Sequence, residues 1–116
     1  MTFVDSVKTC FRKYADFSGR ATRSEFWWFY LAYLISYIGL AVLSGILVSV
    51  TGSAALSFVA ILPLLGFILP LLAVNVRRNH DSDKSGWWLL VPFYNLYLLV
   101  IQGTPGDNRF GPPPAN

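Results

Sequence analysis

The sequence predicts an all-α membrane protein. It has three transmembrane helices, the third short enough to be re-entrant instead, and an amphipathic interfacial helix before them. Three observations carry this. First, no charged residue occurs between Phe26 and Val76, a run of 51 positions in a chain of 116. As one helix rising about 1.5 Å per residue it would reach roughly 77 Å, more than twice a hydrocarbon core of about 30 Å, so it must fold back on itself. Second, the composition is 54% hydrophobic and 13% charged, against about 25% charged in soluble domains. Third, the net charge of +3 is clustered. Lys8, Arg12, Lys13, Arg20 and Arg23 precede the apolar run, Arg77, Arg78 and Lys84 follow it, and Arg109 stands apart. A single integral membrane domain over 1–116 is the economical reading. Basic clusters beside apolar runs read as topology, so nucleic acid is not an expected partner.

The amphipathic helix is placed at 2–17. Phe3, Val7, Cys10, Phe11 and Tyr14 recur at helical spacing, with Asp5, Lys8, Arg12 and Asp16 mostly elsewhere on the wheel. It either lies on the membrane surface or packs on the protein's own cytosolic face. Ser18-Gly19 ends it. The segment lacks the continuous apolar core of a secretory signal. Cys10, the single cysteine, reads as a small apolar residue on a helix face rather than a reactive thiol.

The first span is placed at 25–50. Thr22-Arg23-Ser24-Glu25 is a capping-box pattern before the apolar run, and Trp27, Trp28 and Tyr30 form an interfacial aromatic group. Ala32, Ser36 and Gly39 make one small-residue face and Ala41, Gly45 and Ser49 another, both suited to close contact inside a bundle. Thr51-Gly52-Ser53 is the polar break where the chain turns. The second span, 54–78, contains Pro63 and Pro70, which predict a bend. Arg77 and Arg78 close it where cations favour the negative end of the helix dipole.

The third segment, 86–102, is the short one. Trp87 to Gln102 reaches only about 24 Å as a helix, and Pro92 and Asn95 interrupt it. Spanning is favoured over re-entry because backbone pairing is demanded wherever lipid is the neighbour. The tail, 103–116, is rich in Gly and Pro and is expected to be irregular. Asn75 and Asn95 are expected to hydrogen-bond across helices. With three spans, the N-terminus and the loop after the second share a side carrying eight Lys/Arg. The 51–53 turn and the tail share the other, with one. The basic side is predicted to be cytoplasmic.

A hairpin brings the start of the first span beside the end of the second. Arg20, Arg23, Glu25, Arg77, Arg78, His80 and Asp81 then form one polar cluster, with at least one arginine–carboxylate pair across it and Glu25 the first choice. Four readings of the cluster follow from its residues. A His80–Asp81 pair invites acid–base chemistry, but no nucleophile signature accompanies it. His80, Asp81 and Asp83 lack metal-site spacing. The arginines suit forked contacts to phosphate at head-group depth. They equally suit internal pairing with Asp16, Glu25, Asp81 and Asp83.

Phe17-Ser18-Gly19-Arg20-Ala21-Thr22-Arg23-Ser24-Glu25-Phe26-Trp27, Arg77-Arg78-Asn79-His80-Asp81, Ser85-Gly86-Trp87-Trp88 and the closing Gly103-Thr104-Pro105-Gly106-Asp107-Asn108-Arg109-Phe110-Gly111-Pro112 resemble the domain-of-unknown-function 805 family of small bacterial inner-membrane proteins. Asn79 stands where that family usually has leucine, and Ser82-Asp83-Lys84 replaces its Thr-Gly-Arg, removing a glycine from the loop. The resemblance implies membrane location and a multi-helix fold, and no established reaction. The functional expectation is a small multi-pass inner-membrane scaffold or accessory protein with a cytoplasmic N-terminus and no cofactor or metal. Its basic cluster would engage anionic lipid head groups, a membrane-protein partner or a second copy. The alternatives are a component of an oligomeric channel or transporter, and a membrane enzyme acting on a lipid head group.

Overall fold

The computed structural model describes residues 2–114. Among the described residues there are four α-helices: α1 (Phe3–Arg12), α2 (Arg23–Thr51), α3 (Leu62–Asp81) and α4 (Pro92–Val100). Stretches of 3₁₀ helix, Ala54–Ile61 and Gly86–Leu90, precede α3 and α4. No strand occurs among the described residues; Asn108 and Gly111 form an isolated antiparallel bridge.

α2 and the Ala54–Asp81 helix are both long and apolar enough to cross a membrane. Thr22 caps α2, its side chain accepting from the Glu25 amide at 3.0 Å. Only half of the capping box forms, because the Glu25 carboxylate turns to Arg77 instead. Gly52, at φ +73°, ends the helix in the left-handed conformation that glycine adopts without a Cβ penalty. The returning arm of the hairpin changes from 3₁₀ to α winding at Leu62, with Pro63 in the first turn of α3 and Pro70 buried inside it. Proline lacks an amide hydrogen, so the first turn tolerates Pro63. The hairpin is pinned at both ends: the Ser44 hydroxyl donates to the Leu56 carbonyl at 3.1 Å, and the Ala21 amide to the Arg77 carbonyl at 3.0 Å.

α1 is shorter than the 2–17 expected. It stops at Arg12 because Asp16 captures the Ser18 amide and hydroxyl, at 3.0 and 2.6 Å, offering the backbone a local turn instead of a helix. Its buried face is also rotated from the expected one. Ser6 and Cys10 are fully buried, whereas Phe11 and Tyr14 stay largely exposed. The polar Ser6 is accommodated by donating to the Glu25 carbonyl. Phe11 meets Phe29 and Phe67 edge-on, at 5.2 and 5.3 Å between centroids, so α1 packs on its own hairpin.

The small-residue faces of α2 are not both used within the chain. Ala32 is buried, but Gly39, Gly45 and Ser49 are exposed, with open space where a Cβ at either glycine would sit. Asn75 and Asn95 make no cross-helix bond through their carbonyl oxygens, which are buried without a partner.

The third segment is not one helix. α4 has nine residues, about 14 Å of rise and roughly half a hydrocarbon core. Pro92 forces the break, since it supplies no amide and disfavours helical geometry at Val91, which is extended at φ −106°, ψ 91°. The two ends of the segment return to one place. The Lys84 amide donates to the Asn79 carbonyl at 3.0 Å, and beyond α4 the Thr104 amide donates to the Asp81 carbonyl at 2.7 Å. The tail is therefore not at the far end of the molecule, where a spanning third helix would put it. It is irregular over 103–114 as expected, and residues 115–116 lie outside the described residues.

Candidate functional site: a buried arginine–carboxylate cluster

Each member of the cluster comes from a helix end or an adjoining loop. Gly19 and Arg20 lead into α2, Glu25 sits in its first turn, and Arg77 to Asp81 form the last turn of α3. The sequence places these seven residues at one end of the hairpin, and six of them pack together out of solvent. Arg20, Glu25, Arg77, Arg78, His80 and Asp81 are buried, while Arg23 is exposed.

Two ion-paired groups result. Arg77 pairs with Glu25, and both side chains are almost wholly inaccessible. Asp81 divides its carboxylate between two guanidiniums, accepting from Arg20 Nε at 2.9 Å and from Arg78 Nη1 at 2.6 Å. Such charge-assisted bonds are strong because little water screens them. Three buried guanidiniums thus face two buried carboxylates, and backbone carbonyls supply the balance. Arg20 donates to Thr104 at 2.6 Å, Gly106 at 2.7 Å and Gly111 at 3.2 Å, and Arg78 to Ile101. Arg77 Nε and Nη2, Arg78 Nε and the Asn79 amide have no protein partner.

The tail thus completes the cluster, and sequence reasoning did not assign it there. Gly103 lies so close to the Asp81 carboxylate that a Cβ would collide with it. Asn108 Nδ2 donates to the His80 carbonyl at 2.9 Å. Phe110 stacks on the His80 ring, 3.9 Å between centroids and 3° from parallel. The closing Gly/Asn/aromatic/Gly-Pro motif was visible as a motif. Its place was hidden because a spanning third helix would have carried it away.

His80 and Asp81 do not form a dyad. His80 Nδ1 donates to the Gly19 carbonyl at 2.9 Å, while Asp81 faces Arg20 and Arg78. The glycine that the loop lacks is replaced functionally by Asp83, which adopts φ +58°. Aspartate is among the few residues that visit this region readily. Its carboxylate also accepts from Arg109 Nε at 3.2 Å.

Cys10 borders the cluster, its sulfur 4.0 Å from the Glu25 carbonyl oxygen. Burial, with the Glu25 charge adding to it, pushes its thiol up to about 12, so it stays protonated and inert.

The arginines expected to meet phosphate are thus differently placed. Arg77 and Arg78 are fully buried and present nothing to a head group. Arg23 stays at the surface, using Nη1 on the Val100 carbonyl at 3.3 Å. A cavity of about 250 Å³ opens beside it, lined by Arg20, Thr22, Arg23, Asp81 and tail residues including Thr104 and Pro113.

Comparison with known proteins agrees with the sequence motifs. No solved structure matches the chain significantly. Over 110 residues the chain is 38% identical to the inner membrane protein YhaH of Escherichia coli (strain K12), covering 89% of this chain and 90% of that one. It is 39% identical over 110 residues to the inner membrane protein YhaI of the same organism, with 89% of each chain covered. The model of the family described as "Protein of unknown function (DUF805)" matches residues 14–112. By that match and those identities, the chain belongs to the DUF805 family.

Proposed function

We propose that this protein is a small scaffold or accessory protein of the bacterial inner membrane. It crosses the bilayer twice, and both termini and the third segment belong to the cytoplasmic side. One observation carries the reading: the chain entering the third segment meets the chain leaving it, the Asp81 carbonyl accepting from the Thr104 amide at 2.7 Å. All nine Lys/Arg then sit at one end of the hairpin and none at the 51–53 turn, a stronger asymmetry than three spans allow. The buried cluster is the internal lock that holds α1, the hairpin and the tail as one platform. Anionic head groups meet that platform at Arg23, the arginine beside the cavity with donors to spare. Each such contact is worth about 1 kcal/mol near an anionic surface.

Thiol accessibility tests the topology. In a Cys10→Ala background, Ser53→Cys should react with a membrane-impermeant maleimide in intact spheroplasts. Lys8→Cys and Asp107→Cys should react only after lysis. Reaction of Asp107→Cys in intact spheroplasts, with Lys8→Cys protected, would restore a spanning third segment and overturn the reading. Native mass spectrometry tests the lipid contact. Arg23→Gln should retain less phosphatidylglycerol and cardiolipin than the parent, and equal retention removes Arg23 from the site.

A further inference from the structure

Four parts of the chain, α1, α2, α3 and the 86–100 segment, gather at the end of the hairpin where α2 begins, and only the two arms of the hairpin continue to the other end. α1 is held there by Ser6 on the Glu25 carbonyl and by Phe3 edge-on to Trp28, 5.9 Å between centroids. The 86–100 segment is held there too. Gly86 lies against Val76, where a Cβ would crowd its methyl groups, and Trp27 Nε1 donates to the Leu99 carbonyl at 2.9 Å. At the far end the cross-section is α2 and Ala54–Ile61, joined by Ser44 and Leu56.

We infer that this taper makes the protein sensitive to bilayer curvature, with residues 86–100 acting as a wedge in the leaflet on the basic side. The inference rests on the same-side topology proposed above and goes beyond it. No charged residue occurs between Lys84 and Asp107. Asn95, Leu98 and Leu99 face the hairpin, while Trp87 and Phe93 are 79% and 87% exposed, with Leu90, Leu96 and Tyr97 also outward. Acyl chains are the occupant this surface suits, because it is continuous with the apolar flanks of the two long helices and carries no charge. The wedge meets part of the demand that lipid makes on backbone groups, α4 starting without a side-chain cap. At its bend the Val91 amide donates to Trp88 at 3.1 Å, the Asn95 amide to Val91 at 2.8 Å, and Pro92 has no amide to satisfy. At about 14 Å of helix, α4 ends within one leaflet. Wedge and α1 add area to that leaflet and none to the other. The mismatch is relieved where the basic-side leaflet is convex, as for other helices inserted in one interface.

Membrane tubes pulled from giant vesicles of phosphatidylethanolamine and phosphatidylglycerol test this with the full chain. In the Cys10→Ala background, an impermeant dye on Lys8→Cys marks molecules whose broad end faces outward, and on Ser53→Cys those facing inward. The first population should enrich in tubes as they narrow, and the second should be depleted. Trp87→Ser/Phe93→Ser, with helicity checked by circular dichroism, should weaken the enrichment of the first. Equal partition of both populations, with Lys8 and Asp107 on one side in spheroplasts, overturns the curvature inference and leaves the topology standing. Lys8 and Asp107 on opposite sides overturns both.

Discussion

Glu25 and Arg77 lie 52 positions apart in the chain and form an ion pair whose side chains are 5% and 0% exposed. The pair joins the first turn of α2 to the last turn of α3. The Glu25 carbonyl meanwhile accepts from Ser6 on α1. One residue thus ties three helices together, and its carboxylate has little water to fall back on.

Removing one partner should therefore cost far more than removing both. Glu25→Ala leaves a buried guanidinium uncompensated and should destabilise the protein by about 3–5 kcal/mol, whereas an apolar replacement of the whole pair is often close to neutral. Thermal unfolding in mild detergent should show a large loss for Glu25→Ala and recovery of most of it in Glu25→Leu/Arg77→Met. A double variant no better than the single one would mean that the pair's partners lie elsewhere.

Asp81 and Asp83 provide an internal contrast. Asp81→Asn weakens two buried pairs and should lower stability by about 3 kcal/mol or more. Asp83→Asn affects one exposed pair with Arg109 and should change stability by less than about 1 kcal/mol. Gly103→Ala should resemble Asp81→Asn, because its methyl group enters the space of the same carboxylate. Gly45→Ala meets open space in mid-helix and should be neutral or stabilising by up to about 1 kcal/mol. Similar melting temperatures for Gly103→Ala and Gly45→Ala would show that the tail is not seated on Asp81.

Cys10 predicts an alkaline dependence. Its thiol rises from an ordinary value of 9.0 to about 12 on folding. A raised thiol value means that the folded state holds the proton more tightly than the unfolded state. The associated stability is complete below pH 9 and is lost as pH climbs towards 12. The parent protein should therefore lose stability between those limits more steeply than Cys10→Ala. Native Cys10 should resist alkylation at pH 8 and react promptly once the chain is unfolded. Prompt alkylation of the native protein would place the thiol at the surface.

Much of this protein follows from the sequence alone. The uncharged run from Phe26 to Val76, one polar break at Thr51-Gly52-Ser53 and the Thr22–Glu25 cap are local signals, and they specify two long apolar helices joined as a hairpin. That hairpin brings Arg20–Glu25 to Arg77–Asp81 whatever else the chain does. Tertiary structure decided the rest. The sixteen mostly apolar residues from Trp87 to Gln102 have nearly the length of a span, so periodicity cannot separate crossing from turning back. Pro92 shortens α4 to nine residues, and the Asp81 carbonyl captures the Thr104 amide. Burial of Arg77 and Arg78 was equally out of reach, because a sequence shows that arginines and carboxylates are near one another but not which donors water or lipid can still touch. That depends on the closing tail, which lays the carbonyls of Thr104, Gly106 and Gly111 against Arg20. Backbone carbonyls are the same in every residue, so no side-chain pattern announces where they will be used.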